Sequence, residues 1–185
     1  MSLPNVLTYL RIVAVPAFVA CFTLLEGDAA RISAFTLFVG ASITDWLDGY
    51  LARAWSQQSA LGSMLDPIAD KLLVGAALLM LVHDRTIGSV SIWAAVIVLC
   101  REILVSGLRE YLAELNVKVR VTQLAKWKTT VQMVALAILL IAPVVTTYQY
   151  WLMQLGIGAL WLAALLTLWT GYDYLKAALR HAVDW

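Results

Sequence analysis

The sequence has little charge and few cysteines, and each shortage argues against a class of protein. Charged residues make up 14% of the 185 positions, whereas a soluble globular domain has about 25%. The formal net charge of +1 offers no broad basic surface, so no nucleic-acid partner is expected. Only two cysteines are present, Cys21 and Cys100, and both lie in apolar segments. We therefore expect small packed thiols there and no disulfide framework.

Apolar residues are abundant. They account for 62% of the chain, and the mean hydropathy is +0.83, which predicts an integral membrane protein. Eight tryptophans and seven tyrosines are typical of chains anchored at membrane interfaces. Each membrane-spanning helix needs about 20 residues, so the length suits a single domain over residues 1–185 with several spans.

The apolar runs and their breakers predict an all-α fold, an integral membrane bundle of six transmembrane helices. Proline is expected in the first turn of the third helix, at Pro67, and just beyond the fifth helix, at Pro143. The predicted helices cover about residues 3–25, 32–55, 63–83, 92–112, 123–141 and 150–179.

Basic residues are distributed unevenly between the predicted connections. Six spans place both termini on one side, and most basic residues near helix ends fall on that side, while the opposite turns hold Arg31 and Arg85. By the positive-inside rule both termini are expected to be cytoplasmic. The basic residues on the cytoplasmic side are Arg53, Lys118, Arg120, Lys126, Lys128, Lys176 and Arg180.

Two pairs of aspartates lie between long apolar runs. Asp45 and Asp48 are spaced i,i+3, and Asp66 and Asp70 are spaced i,i+4, so each pair projects from one face of its helix. A short polar link brings the two helices together, and four carboxylates at membrane depth then need compensation. Oxygen ligands select hard cations, so we expect Mg²⁺ or Mn²⁺, with two ions balancing four carboxylates. Such a site is typical of phosphoryl transfer. The alternative is that these are polar helix ends facing water.

The aspartates belong to a longer pattern, D-x2-D-G-x2-A-R-x8-G-x3-D-x3-D, and the chain is similar in this respect to the CDP-alcohol phosphatidyltransferases. The resemblance implies that the first three aspartates bind divalent metal. It also implies that the fourth, Asp70, is both a metal neighbour and the general base, and that the protein is a homodimer. The eight matching positions are Asp45, Asp48, Gly49, Ala52, Arg53, Gly62, Asp66 and Asp70.

The CDP-diacylglycerol site is expected around the same motif. Small residues would let a base and ribose approach the helix backbone closely, and Arg53 is placed to contact the pyrophosphate, although an isolated Arg could also anchor a helix at the interface. Asn5 and Thr8 resemble family positions that approach the CDP moiety. The residues assigned to CDP-diacylglycerol are Asn5, Thr8, Gly49, Ala52, Arg53, Ser59 and Gly62.

The acceptor phosphate needs several cations, and the candidates are Arg11, Arg101, Arg109, Lys126 and Lys128. Lys126 and Lys128 are two residues apart, so a regular helix cannot turn both toward one pocket. An Arg early in an apolar helix, as at position 11, either snorkels to the interface or meets an anion. Arg101 could instead pair with the neighbouring Glu102 and only hold the bundle together.

The runs REILVSGLRE (101–110) and KWKTTVQM (126–133) resemble the glycerol phosphate-using branch of the family. This resemblance implies transfer of a phosphatidyl group from CDP-diacylglycerol to the 1-hydroxyl of sn-glycerol 3-phosphate, with release of CMP. It further implies contact with membrane lipid and a bacterial inner membrane location, while the loop charges predict an active site that faces the cytoplasm. The alternatives are another acceptor, inositol phosphate or serine, and, outside the family, a membrane cation transporter or a polyprenyl transferase.

Overall fold

The structure is a computed structural model that describes residues 3–55, 60–115, 117 and 123–183, and all regular structure in these ranges is helical. Within them, the side chains of residues 3–7, 46–55, 60–64, 66, 114, 123–126, 173 and 177–183 are outside the description. The helices are α1 (Leu3–Leu24), α2 (Gly27–Trp55), α3 (Ala60–His83), α4 (Ser91–Glu114), α5 (Gln123–Ile141) and α6 (Gln149–Val183), with a short 3₁₀ helix at Thr146–Tyr148 before α6.

Two differences from the predicted helices are at the starts of α2 and α3. The segment expected to be a turn before residue 32 is largely helical, because Gly27 adopts a φ of 60° and the helix begins there. Asp28 then lies in the first turn, where a negative charge favours the helix. Since α3 begins at Ala60, Pro67 lies inside the helix, and the prediction that it occupies the first turn is wrong. Its ring removes one backbone hydrogen bond without ending the helix.

The helices pack in two groups that share one apolar core. α1 packs along α2 and α3, while α6 packs along α5 and α4, and α2 joins the groups by packing on α5. Large side chains such as Phe18, Phe38, Leu73 and Leu136 are fully buried among alanines, and small residues let helices approach closely. This packing brings α1, α2 and α3 together on one side of the cavity described below.

Arg31, at the start of α2, connects several helices at one end of the bundle, here called the Arg31 end. Its Nη2 atom lies 2.5 Å from Asp84, just after α3, and donates to Thr86 Oγ1 at 2.8 Å. Its Nη1 atom donates at 3.5 Å to the carbonyl of Leu139, near the end of α5. The start of α2 therefore lies beside the ends of α3 and α5, as expected for helices that alternate in direction.

Apolar residues also cover much of the outer surface. Within the described residues, two stretches are long and apolar enough to cross a membrane, Ser91–Ala113 and Thr146–Lys176, while Thr8–Leu24 and Trp127–Ile141 are shorter apolar stretches. Both cysteines are free thiols. Cys21 is buried as predicted, whereas Cys100 is exposed, so its predicted packing is wrong.

Candidate functional site

Three charged residues from three helices meet near one end of the cavity. The Nη1 atom of Arg11 in α1 lies 2.7 Å from Oδ1 of Asp45 in α2 and 3.0 Å from Oδ1 of Asp70 in α3. The Arg11 side chain is fully buried, whereas the carboxylates remain 41% and 48% exposed. The two aspartates of the motif whose side chains are described thus come together as the sequence predicts, and both contact the buried guanidinium of Arg11.

Arg11 is positioned by the packing of α1 along α2 and α3. A buried charge has to be paired, and the anions that Arg11 meets are carboxylates of this chain. Thr8, one turn earlier on α1, is also buried, at 2% exposure. Of the residues assigned to CDP-diacylglycerol, Thr8 is therefore the one whose side-chain burial the structure describes.

A second polar cluster joins α4, α5 and α6. Arg101 in α4 donates through Nε to the carbonyl of Thr167 at 3.2 Å and through Nη2 to Thr170 Oγ1 at 2.8 Å. Glu102 pairs with Lys128 of α5, and one Glu102 oxygen lies 3.8 Å from Arg101. Both cations are buried, at 8% and 3% exposure. The cluster therefore holds two buried cations against one carboxylate.

The close approach of α6 to α4 depends on glycine at position 171, which has no side chain. A Cβ atom on Gly171 would lie 3.3 Å from Cγ of Arg101, which is tighter than nearly all real contacts of this kind. Further along α4, Arg109 donates to the hydroxyl of Tyr174 at 2.8 Å, and its guanidinium lies 5.0 Å from the centre of that ring. A cation over an aromatic face is held in a defined orientation. α6 thus supports both arginines of α4.

Both clusters open into one cavity of about 590 Å³, here called the polar cavity. This volume is in the range of ordinary ligand sites, about 300–1,000 Å³. Lys71, which directly follows Asp70, also lines the polar cavity and donates to Ser106 of α4. The charged residues lining the polar cavity are Asp45, Asp70, Glu102 and Glu110 together with Lys71, Arg101, Arg109 and Lys128.

The donor set at Asp45 and Asp70 fits a hard divalent cation. Both Oδ1 atoms lie within 3.0 Å of the same guanidinium nitrogen, so one cation is able to contact both carboxylates. Carboxylate oxygens are the ligands that Mg²⁺ and Mn²⁺ prefer. Among the described side chains, no group of three His, Cys, Asp or Glu residues could hold a metal alone. The other two motif aspartates have side chains outside that description.

Several predicted site residues cannot be placed at the level of side chains. Asn5, Asp48, Gly49, Ala52, Arg53, Gly62, Asp66 and Lys126 have helical backbones but side chains outside the described residues, and Ser59 lies outside them entirely. Lys128, unlike Lys126, is described, and it lines the polar cavity. The roles assigned to the residues whose side chains are outside the description stay predictions.

Sequence reasoning missed several polar residues that line the polar cavity or hold its cations. Lys71, Ser106 and Gln132 line the polar cavity, and Thr170 holds Arg101. Lys71 had a usable signal, because a lysine beside a carboxylate of the aspartate motif in an apolar helix needs a partner. Gln132 lies four residues after Lys128 and so on the same helix face. Thr170 had no usable signal, since a threonine in an apolar helix is ordinarily expected only to pack against its neighbours.

Comparison with known proteins gives a consistent picture. The sequence profile of a family described as CDP-alcohol phosphatidyltransferase matches residues 1–169. A protein of Rickettsia bellii named CDP-diacylglycerol--glycerol-3-phosphate 3-phosphatidyltransferase is 45% identical over 97% of each chain. Proteins of the same name from Cereibacter sphaeroides and Salmonella typhimurium are 38% and 42% identical, over 99% of this chain and 98% of theirs.

Proposed function

The chain belongs to the CDP-alcohol phosphatidyltransferase family, and we propose that it transfers the phosphatidyl group of CDP-diacylglycerol to sn-glycerol 3-phosphate. The products are phosphatidylglycerophosphate and CMP. The observation that carries the proposal is the polar cavity, which joins the carboxylates of Asp45 and Asp70 to the cations of α4 and α5. Relatives that carry this activity in their names cover nearly the whole chain.

The acceptor is proposed to bind between the two clusters, with its phosphate toward α4 and α5 and its reactive hydroxyl toward Asp70. Arg101, Arg109 and Lys128 line the polar cavity and supply the charge that a phosphate needs. A guanidinium has the geometry to bind two phosphate oxygens. Lys126 is proposed as a further contact, on the prediction from sequence alone.

Asp70 is proposed as the general base. Its carboxylate is about half exposed and lines the polar cavity, so a hydroxyl can reach it. It accepts the proton as the hydroxyl oxygen attacks the β-phosphorus of the donor, and the bond to CMP breaks. The ion pair with Arg11 fixes the carboxylate in place.

Arg11 has two proposed roles. The sequence assigns it to the acceptor phosphate, and that assignment stays a prediction. Its contacts with Asp45 and Asp70 support a second role, in which the buried guanidinium orients the two carboxylates. The second role requires no movement of the side chain.

The proposed enzyme uses Mg²⁺ or Mn²⁺, with two ions held by Asp45, Asp48, Asp66 and Asp70. When bound, the ions stabilise negative charge on the phosphoryl oxygens. The donor nucleotide is proposed to lie against Thr8 and the residues assigned with it from sequence, and the acyl chains to lie in the bilayer. The cation-lined side of the polar cavity is left for the acceptor.

We further propose six membrane spans in a bacterial inner membrane, with both termini and the polar cavity on the cytoplasmic side. The tryptophans of α6 support a full span: Trp151 and Trp169 are 72% and 71% exposed. They are five helical turns apart on one face, about 27 Å, close to the roughly 30 Å thickness of the hydrocarbon core. A homodimer is proposed from the family resemblance alone.

The proposed function is tested by measuring CMP release from CDP-diacylglycerol with the purified protein and different acceptors. We expect release with sn-glycerol 3-phosphate and not with inositol phosphate or serine. Omitting the acceptor is the control for hydrolysis of the donor. A preference for one of the other acceptors would keep the family assignment and overturn the proposed substrate, and no CMP release with any acceptor would overturn the proposed reaction.

A further inference from the structure

We infer that the side-chain carbonyl of Gln132 binds the hydroxyl of the acceptor that does not react, and thereby selects the acceptor alcohol. This inference rests on the phosphatidyl transfer proposed above. It adds a specificity-determining residue in α5 that belongs neither to the aspartate motif nor to the set of cations.

The first observation is an unsatisfied polar atom. Gln132 is 1% exposed and lines the polar cavity, and within the described part of the chain its Oε1 atom has no hydrogen-bond partner. Most buried side-chain polar atoms in native proteins are hydrogen-bonded, and one without a partner calls for an explanation. A ligand in the polar cavity that donates a hydrogen bond satisfies this atom.

The second observation is the position of Gln132 relative to the cations. It follows Lys128 by four residues on α5, so the two side chains lie one helical turn apart on the same face. Lys128 is paired with Glu102, which neighbours Arg101. A phosphate bound at these cations places the carbon chain attached to it near Gln132. The unpaired carbonyl therefore lies on the acceptor side of the polar cavity.

The chemistry of the acceptor supplies the missing donor. An amide oxygen only accepts hydrogen bonds, and the phosphate oxygens of an ionised ligand have no proton to give. Glycerol 3-phosphate has two hydroxyls, of which the one at carbon 1 gives its proton to Asp70. The hydroxyl at carbon 2 does not react and is free to donate to Gln132.

The test compares sn-glycerol 3-phosphate with 3-hydroxypropyl phosphate, which lacks only the hydroxyl at carbon 2. CMP release is measured with the purified full-length protein in detergent. The wild type is expected to prefer glycerol 3-phosphate by about tenfold to a hundredfold in kcat/KM, because the analogue leaves a buried acceptor unpaired. In Gln132→Met the preference should fall to within about threefold, with the KM for CDP-diacylglycerol unchanged.

Two further variants sharpen the result. Gln154→Met is the matched control, because Gln154 is exposed on α6, and it should keep the full preference. Gln132→Glu retains an accepting oxygen and should also keep the preference, while its negative charge raises KM for both phosphates. Loss of the preference in Gln132→Glu would mean that the amide donates to the ligand and would overturn the assignment.

The outcomes distinguish this inference from the proposed function. A wild type that does not distinguish the two alcohols, or a Gln132→Met protein that still does, overturns the role of Gln132 and leaves the reaction intact. A rise in the KM for CDP-diacylglycerol in place of the acceptor effect assigns Gln132 to the nucleotide and also overturns it. A wild type that releases no CMP with either alcohol overturns both proposals. If Gln132→Met does not fold, a wild type without the preference or a Gln132→Glu protein that loses it still overturns the role of Gln132.

Discussion

The Nη1 atom of Arg11 in α1 lies 3.0 Å from Oδ1 of Asp70 in α3 and so links the two helices. The same nitrogen lies 2.7 Å from Asp45, so one buried guanidinium holds carboxylates from two helices together. The carboxylates face the polar cavity on their other side. The proposed divalent cation would therefore offset the same repulsion between two negative charges that Arg11 offsets.

Replacing Arg11 by Met is expected to destabilise the protein more in EDTA than in Mg²⁺. Without the guanidinium the two carboxylates repel each other, and a divalent cation between them relieves that repulsion. The loss in EDTA should be about 1.5–3 kcal/mol, as for hydrogen bonds to charged groups, and it should be smaller in Mg²⁺. Thermal unfolding in detergent under both conditions measures the difference.

The control for this metal dependence is Arg31→Met. Arg31 also bridges helices, but its carboxylate partner is Asp84 at the Arg31 end, on a different set of helix ends. Its replacement should lower the unfolding temperature equally in EDTA and Mg²⁺. If Arg11→Met also shows equal losses, the carboxylates of Asp45 and Asp70 do not bind the metal.

Asp70→Asn should lower kcat by about 10²- to 10⁴-fold, the usual contribution of a general base. The KM values should change little, because a base acts in the transition state.

EDTA should abolish wild-type activity, and Mg²⁺ or Mn²⁺ should restore it. Asp45→Asn should regain part of its activity as Mg²⁺ is raised, whereas Asp70→Asn should stay slow at saturating Mg²⁺. CMP release measures all of these rates.

The comparison variant is Asp28→Asn, an exposed aspartate in the first turn of α2. It should keep wild-type kinetics. A recovery of Asp70→Asn to wild-type rates at high Mg²⁺ would leave Asp70 with metal binding alone and remove it as the base.

The sequence predicted the helices well because apolar runs and their breakers are local features. α5 spans Gln123–Ile141 as predicted, and Pro143 follows its end. The start of α2 was missed because the predicted turn contains residues that a helix also accepts, Asp28 in the first turn and two alanines after it. The interior position of Pro67 was missed because one lost hydrogen bond can be tolerated within a helix that is held by packing.

The polar contacts were only half predictable. The approach of Asp45 and Asp70 follows from two acidic pairs on adjacent helices, but the identity of their partner does not. An arginine in an apolar helix indicates that an anion is near, not which anion it is. The partners of Arg101 on α6 depend on the register between α4 and α6, which leaves no trace in hydrophobic periodicity.

Labelling of single cysteines tests the proposed orientation in the membrane. In a background with Cys21→Ala and Cys100→Ala, Asp28→Cys and Arg85→Cys should react with an impermeant maleimide applied to cells with a permeabilised outer membrane. Gln58→Cys and Lys118→Cys should react only after the inner membrane is opened, because the positive-inside rule places their connections in the cytoplasm. Reaction of Gln58→Cys in closed cells would invert the orientation.

Gly156→Ala should destabilise the contact between α5 and α6. A Cβ atom at Gly156 would lie 2.7 Å from Cδ2 and 2.8 Å from Cγ of Leu139, and Leu139 is fully buried with little room to move. Overpacking of this kind costs about 1–3 kcal/mol. Thermal unfolding should show the loss, while Gly158→Ala, which meets no atom within 4 Å, should be neutral or slightly stabilising. Equal effects at the two positions would contradict the close packing at Gly156.

Thr170→Val tests whether the position of Arg101 matters for the acceptor. The substitution removes the hydroxyl that accepts from Nη2 at 2.8 Å and keeps the cation and the contact to the Thr167 carbonyl. We expect the KM for glycerol 3-phosphate to rise about two- to tenfold, the value of one net hydrogen bond. Arg101→Ala removes the charge itself and should raise this KM by about tenfold to a hundredfold. The KM for CDP-diacylglycerol should stay nearly constant in both.

The matched control is Thr36→Val, which removes an exposed hydroxyl that bonds to the carbonyl of Ile32 within α2. It should leave both KM values unchanged. If Arg101 only pairs with Glu102 to hold the bundle, Arg101→Ala should lose thermal stability and weaken both substrates in parallel. Recognition of the phosphate instead predicts a selective rise in the acceptor KM that is large in Arg101→Ala, smaller in Thr170→Val and missing in Thr36→Val. This graded order follows because the charge is lost in Arg101→Ala, whereas in Thr170→Val the charge remains and loses one of its two hydrogen bonds to α6.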